Sequence, residues 1–338
     1  MKIGKISLSI ILAAVLLYAS PGFAQFETGQ IDRDRRGQTG FKFLSMSLDA
    51  RAAAMGDAMT SQMGASTAMF YNTAAMGWFD GTFDVSLGQV QWIGDITYNA
   101  ASLAYNSPIG VFGLSGSMVD YGDVIGTIRS DTQAGYEEIG NIAPSAMVIG
   151  LGYARALTNQ FAVGANVKIA SQDLGSAPVE MTEGGSLTRE DYAISAAVFD
   201  FGVIYQTGFE SLNIAISARN FSQELTFAEE SFETPLTFRL GASMNLMDLT
   251  SMDPNMHSLM LSVDTERPRD FDEQVKIGGE YLFMNTFAVR AGYVFPTDEQ
   301  GLSAGFGIVD LAGLNVSYTF TDFGIFGNVN RFSVGYGF

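Results

Sequence analysis

At the C-terminus of this chain Phe332, Val334, Tyr336 and Phe338 alternate with Arg331, Ser333, Gly335 and Gly337. A period of two places the bulky residues on one face of a strand and the small or polar ones on the other. In a soluble sheet the polar face meets water and is rich in Lys, Glu and Thr. A face made mostly of Gly and Ser suits a crowded interior instead, so the bulky face is the outer one and the medium it requires is lipid. The pattern recurs at Phe287–Phe295, at Val275–Phe283 and at Phe161–Ile169. Past residue 24 every apolar run is soon interrupted by Gly, Asp, Asn, Lys or Arg. Any membrane crossing must therefore be made by strands, and in lipid these must close into a barrel to satisfy the backbone.

The spacing predicts about fourteen antiparallel strands, an all-β transmembrane barrel occupying 82–338. They are placed at 82–92, 98–107, 110–121, 144–157, 160–174, 192–206, 211–221, 236–247, 257–266, 273–283, 286–295, 301–309, 312–320 and 330–338. Most are close to the length that crosses a bilayer at a tilt. Short connections, such as Ser107-Pro108-Ile109-Gly110 and Met284-Asn285, alternate with long ones at 122–143, 175–191 and 222–235. Short inner turns alternating with long outer loops are the barrel's signature. Phe332, Val334, Tyr336 and Phe338 also resemble the terminal signal read by the barrel-assembly machinery.

Ahead of the barrel the chain divides into three pieces. Residues 1–24 carry Lys2 and Lys5, an apolar stretch from Ile6 to Leu17, and small residues at Gly22 and Ala24. This is the pattern of a signal peptide for export. Residues 25–39 read as a flexible periplasmic tail. Residues 40–81 read as an N-terminal plug. Asp49 can cap a short Ala-rich helix that Gly56 ends, and Asn72 opens a second helical turn. Pieces this short need something to pack on, and a barrel of this size offers its lumen. Arg51 and Asp57 are then expected to pair with lumen charges drawn from Asp200, Arg239, Asp264, Lys276, Glu280 and Arg290, since charges on the lipid face are costly.

Composition removes other classes. The net charge of −18 argues against nucleic acid, and the absence of cysteine excludes disulfides, thiolate catalysis and iron–sulfur clusters. His257 is the only histidine, no nucleophile-elbow or calcium-loop pattern occurs, and the Gly301–Gly307 run has no helix after it. Neither catalysis, nor a cofactor, nor a metal is expected. The proposed outer connections hold 19 acidic and 4 basic residues. That balance suits solubility, bridging to lipopolysaccharide through cations, or docking of a basic partner.

The segment "FLSMSLDARAAAMGDAMTS" followed by "STAMFYNTAAM" resembles the PorV/PorQ family, with Ala50, Arg51, Met55, Gly56, Asp57, Asn72 and Ala74 on its plug motif. Val119-Asp120-Tyr121-Gly122, Leu151–Arg155, Gly164–Lys168, Asp200–Val203, Ala218-Arg219-Asn220 and Arg239-Leu240-Gly241 extend the likeness in order across 40–338. Thr73 departs from it, standing where the family usually has Pro. The resemblance implies a fourteen-stranded outer-membrane barrel similar to the FadL fatty-acid transporters. It further implies a non-enzymatic role in type IX secretion, with cargo signal domains, the translocon or the attachment complex as partners. A FadL-like conduit for hydrophobic small molecules is the alternative, and a general porin the third reading. Both termini are expected in the periplasm of a diderm bacterium.

Overall fold

The computed structural model describes residues 37–181, 187–227, 230–298 and 300–338. The expected signal peptide and most of the expected tail lie outside these residues. Fourteen antiparallel strands close into one barrel. In chain order they are β1 (Phe83–Gln91), β2 (Thr97–Ser107), β3 (Gly110–Asp120), β4 (Ser145–Ala156), β5 (Phe161–Met181), β6 (Leu187–Gln206), β7 (Asn213–Phe221), β8 (Thr237–Asn245), β9 (His257–Pro268), β10 (Gln274–Phe283), β11 (Phe287–Phe295), β12 (Ser303–Leu311), β13 (Leu314–Asp322) and β14 (Asn328–Gly337). Each pairs with its sequence neighbour, and β1 pairs with β14 to close the ring. The terminal Phe338 secures that seam: its carbonyl accepts from the Thr82 and Phe83 amides at 2.7 and 3.0 Å, and its own amide donates to Phe83 at 2.9 Å.

Side chains sort by strand parity. Leu87, Leu114, Leu151, Phe201, Leu240, Val289, Phe306, Phe332 and Phe338 are exposed on the outer face. Ser86, Ser102, Ser115, Ser217, Ser262, Ser317 and Ser333 are buried inside. The exposed apolar wall is what a hydrocarbon solvent requires.

The long connections are more regular than expected. The 122–143 segment folds into a hairpin of Val124–Arg129 with Tyr136–Ile142, and Leu225–Phe227 pairs with Glu230–Phe232. β5 and β6 run past the barrel rim as a paired ribbon, Ser176 opposite Asp191 and Met181 opposite Leu187. Backbone groups leaving the bilayer find ladder partners there rather than ending as open loops.

The described part of the N-terminal segment lies differently from the expected tail. A periplasmic tail would put residue 39 at the short-turn end of the barrel. Instead Thr39 bridges Glu233, the Gly40 amide donates to the Glu233 carbonyl at 3.0 Å, and Lys42 pairs with Asp270 at 2.5 Å. Glu233 belongs to a long loop and Asp270 to the 269–273 connection at the same end, so the chain enters the lumen at the long-loop mouth. It leaves beside the short turns, where Asn106 donates to the Phe79 carbonyl at 2.9 Å. Residues 41–78 thus thread the barrel from end to end, and residue 39 and the C-terminus lie at opposite ends.

This topology predicts opposite labelling of two single cysteines in a chain that has none of its own. Gln38→Cys and Thr158→Cys should both react with a maleimide in detergent. In intact cells an impermeant maleimide should reach only one of them, Gln38→Cys if the long loops face outward.

Candidate functional site

The plug and the wall it touches form the site. In the plug, α1 is the five-residue helix Ala50–Ala54. Asp49 caps it, its carboxylate accepting from the Ala52 amide at 3.1 Å, and Gly56 turns the chain out at φ 60°. The Ala50 amide donates to Ser333 Oγ at 2.8 Å, tying the helix start to β14. Further on, Asn72 caps the 3-10 turn Thr73–Trp78 by accepting from the Ala74 amide at 3.1 Å. Its Nδ2 donates to the Thr60 carbonyl at 2.8 Å and to the Val203 carbonyl of β6 at 3.4 Å. One side chain therefore joins two plug turns to the wall.

Apolar layers hold the two ends of the plug. At the long-loop end Phe41, Phe43, Leu44 and Leu48 are buried with Val90, Tyr98, Val119, Val198 and Val329. Phe41 also stacks on Phe232 of the outer hairpin, ring centroids 6.1 Å apart. At the short-turn end Ala68, Met69, Ala74, Ala75 and Met76 pack on Ala104, Val111, Ala154, Ile204 and Ala215. The plug methionines Met55, Met69 and Met76 are all buried, fitting a flexible thioether into irregular gaps.

At four of the closest approaches of the plug to the wall, the wall residue is glycine. A Cβ on Gly278 or Gly292 would overlap the Met55–Gly56 backbone. One on Gly164 would overlap Thr73–Ala74, and one on Gly202 would overlap the Asn72 side chain. Small residues on the inner face are thus docking positions for main chain.

All six predicted lumen charges face inward and are buried. Arg51 Nε and Nη2 donate to Glu280 at 2.9 and 2.7 Å, and Arg290 Nε donates to the same carboxylate at 2.5 Å. Arg239 pairs with Glu266 at 2.8 Å, and Lys276 joins that carboxylate from the neighbouring strand. Lys168 pairs with Asp200 at 2.7 Å, and Asp264 accepts from the Thr60 amide at 2.9 Å. Asp57 departs from the expectation. Its carboxylate accepts from the Ser47 hydroxyl within the plug, while Arg239 reaches only its carbonyl, at 3.4 Å. The αL conformation of Asp57, φ 62°, fixes it in the turn after α1 and keeps its side chain local.

Several further partners stand beside the expected residues. Glu266 closes the strand expected at 257–266 and lies in β9, inward by the same parity as Asp264, although it is not among the expected lumen charges. Arg331 donates to the Ser47 carbonyl at 3.1 Å, and the inward face of β14 already signalled it. Asn220, with φ 61° at a break in the β6–β7 register, donates its amide proton to Asp200 at 2.7 Å and accepts from Lys168 at 2.6 Å. The Ala218-Arg219-Asn220 match marks that position in the sequence, but strand alternation does not signal the slipped register. Tyr71 sits among Ser47, Asp49 and Arg219, its hydroxyl accepting from the Asp49 amide at 3.1 Å.

His257 Nδ1 lies 2.7 Å from the Tyr281 hydroxyl near a short turn, away from the plug. Among the described residues no cluster of three or more His, Asp or Glu side chains could hold a metal ion.

Comparison with solved structures places this geometry. The toluene transporter TbuX of Ralstonia pickettii superposes with a TM-score of 0.54 at 14% identity, covering 86% of this chain and 98% of that one. The CymD monoaromatic hydrocarbon channel gives 0.56 at 13% identity over 86% and 98%. A Pseudomonas aeruginosa FadL homologue gives 0.51 at 12% identity over 86% and 98%. The fold is that of the FadL-type outer-membrane barrels. No protein-family model and no curated protein matches the sequence.

Within this FadL-type barrel the charge pairs yield a ranked prediction. Glu280→Gln strands the buried Arg290 guanidinium, along with the part-exposed Arg51, and should cost about 3–5 kcal/mol. Arg51→Leu leaves Arg290 on Glu280 and should cost about 1.5–3 kcal/mol, the worth of a charged hydrogen bond. Urea unfolding in detergent micelles tests the order; equal stabilities would remove the network from the account. Gly292→Val, which drives a side chain into the plug backbone, should lose at least the upper end of about 1–3 kcal/mol. The temperature at which the folded band disappears on a semi-native gel reports it.

Proposed function

We propose that this barrel passes hydrophobic small molecules from the long-loop mouth sideways into the membrane. The carrying observation is a coincidence in one place of the wall. An apolar groove of about 440 Å³ opens on the lipid side between β4 and β7, lined by Tyr153, Val163, Phe201, Val203 and Ile216. Its floor is Gly164 and Gly202, the two positions where the wall is bare against Asn72–Ala74 of the plug. The register of β6 on β7 slips beside it, between Phe199 and Phe201. The groove lies toward the short turns, so passage to it from the mouth requires the plug to shift from its seat against Gly164 and Gly202. The mouth itself is apolar, with Phe41, Phe43, Trp92, Tyr121 and Phe323 in one cluster. TbuX and CymD, which share the fold, handle toluene and monoaromatic hydrocarbons.

A second reading has its own support. The plug motif around Arg51 and Asn72 resembles PorV/PorQ proteins, and acidic hairpins with exposed Val124, Ile125 and Tyr136 project from the long-loop end. On that reading the long-loop face binds cargo domains or translocon components of type IX secretion, and transport is absent.

One strain pair separates the two. Expressed in an outer membrane lacking its own hydrophobic-uptake barrel, the protein should raise the initial uptake of labelled toluene or a long-chain fatty acid several-fold. Phe201→Arg, which puts a charge in the wall groove, should abolish the gain while the barrel stays folded. Unchanged uptake, together with loss of surface-displayed cargo when the native gene is deleted, would favour the secretion reading.

A further inference from the structure

Five side-chain amides interrupt the lipid-facing wall, and they lie together. Gln89 and Gln91 of β1, Asn99 of β2, and Asn328 and Asn330 of β14 occupy outward positions. These three strands are neighbours across the barrel seam: Gln89 stands opposite Asn99 on one side and Phe332 on the other, and Gln91 stands opposite Asn330. Among the described residues, the outward positions of the other eleven strands carry no amide; at comparable depth β3 and β4 present Met118 and Met147. A groove of about 710 Å³ runs over the patch, lined by Leu87, Gln89, Gln91, Asn99, Tyr318 and Phe332.

The amides are only partly engaged with one another. Gln89 donates to Asn99 at 3.0 Å, and the Tyr318 hydroxyl donates to Asn330 at 2.8 Å. Those bonds leave Gln89 Oε1, Asn99 Nδ2, Asn330 Nδ2 and the whole Gln91 amide turned to the membrane side. Acyl chains offer no hydrogen-bond partner, and an unmatched amide in an apolar medium costs about 1–3 kcal/mol. The patch sits toward the long-loop ends of its strands. Recognition through a phosphate would call for outward Lys or Arg, and this patch has neither, so the contact it offers is to the sugar itself. Arg331, its nearest cation, faces inward onto the Ser47 carbonyl. Planar amides beside the aromatic faces of Tyr318 and Phe332 match paired hydroxyls above a C–H face, which is the surface of a sugar ring.

We propose that the β14–β1–β2 groove binds the sugar headgroup of a glycolipid in the leaflet on the long-loop side. The site rests on the fold and not on what the barrel transports. It gives the molecule one preferred lipid neighbour on one side of its circumference.

The test compares the wild-type protein with the triple variant Gln89→Leu/Gln91→Leu/Asn99→Leu by native mass spectrometry in detergent. Rough lipopolysaccharide and phosphatidylethanolamine are the added probes. The leucines make the wall more like its neighbours, and retention of the fast-migrating folded band confirms that the variant has folded. Wild type should retain the lipopolysaccharide in preference, and the variant should bind it about ten-fold less tightly, the loss of two hydrogen bonds. Phosphatidylethanolamine binding should be the same in both. A photo-crosslinker at Gln91 in cells should yield an adduct of lipid mass that a sugar-specific stain detects. Equal lipopolysaccharide retention by the two proteins would overturn the proposal. So would a protein-sized adduct, which would make the patch a lateral protein interface.

Discussion

The structure depends on how closely a strip of main chain can approach the inside of the barrel wall. At Gly278 and Gly292 the Met55–Gly56 backbone fills the space a methyl group would need, the Thr73–Ala74 backbone does the same at Gly164, and the Asn72 side chain does so at Gly202. That approach brings plug amides and carbonyls within hydrogen-bonding distance of wall side chains, as at Ala50 with Ser333 and Thr60 with Asp264. It also lets a helix of only five residues persist, since its stability comes from packing rather than from propensity. Without the glycines the plug could not seat. Without the plug, the buried charges of the wall would face an open lumen.

The order of layers along the thread constrains what the barrel can do. Apolar contacts close both ends, and buried ion pairs lie against the plug along its length. Ion pairs buried this way contribute little net stability but are severe to break singly, which favours one plug position over many. An apolar solute has no reason to cross them, and water or ions meet close packing at either end. The mouth, the groove over Gly164 and Gly202, and the outer surface are what the plug leaves open to the surroundings.

Much of this was legible in the sequence, because lipid imposes a period of two and the lumen imposes small side chains. All fourteen strands fall where the alternation puts them, and Arg51 meets one of the carboxylates that parity had turned inward. What could not be read is instructive. Nothing in residues 37–48 encodes which mouth they enter, because both ends of the lumen offer apolar contacts; the pairing of Thr39 with Glu233 and Lys42 with Asp270 decides it across nearly 200 residues or more of chain. The αL conformation of Asn220 follows from a slipped register that only tertiary pairing creates. The outward amides of β1, β2 and β14 were visible as letters, but their meaning depends on the seam that makes the first and last strands neighbours.

The central claim is that residues 41–78 fill the lumen from mouth to turn and leave no axial path. Conductance of the purified protein in a planar bilayer measures this most directly. The account predicts a quiet bilayer at moderate voltage, with at most brief, small openings. Stable conductance steps of porin size from the wild-type protein would contradict it.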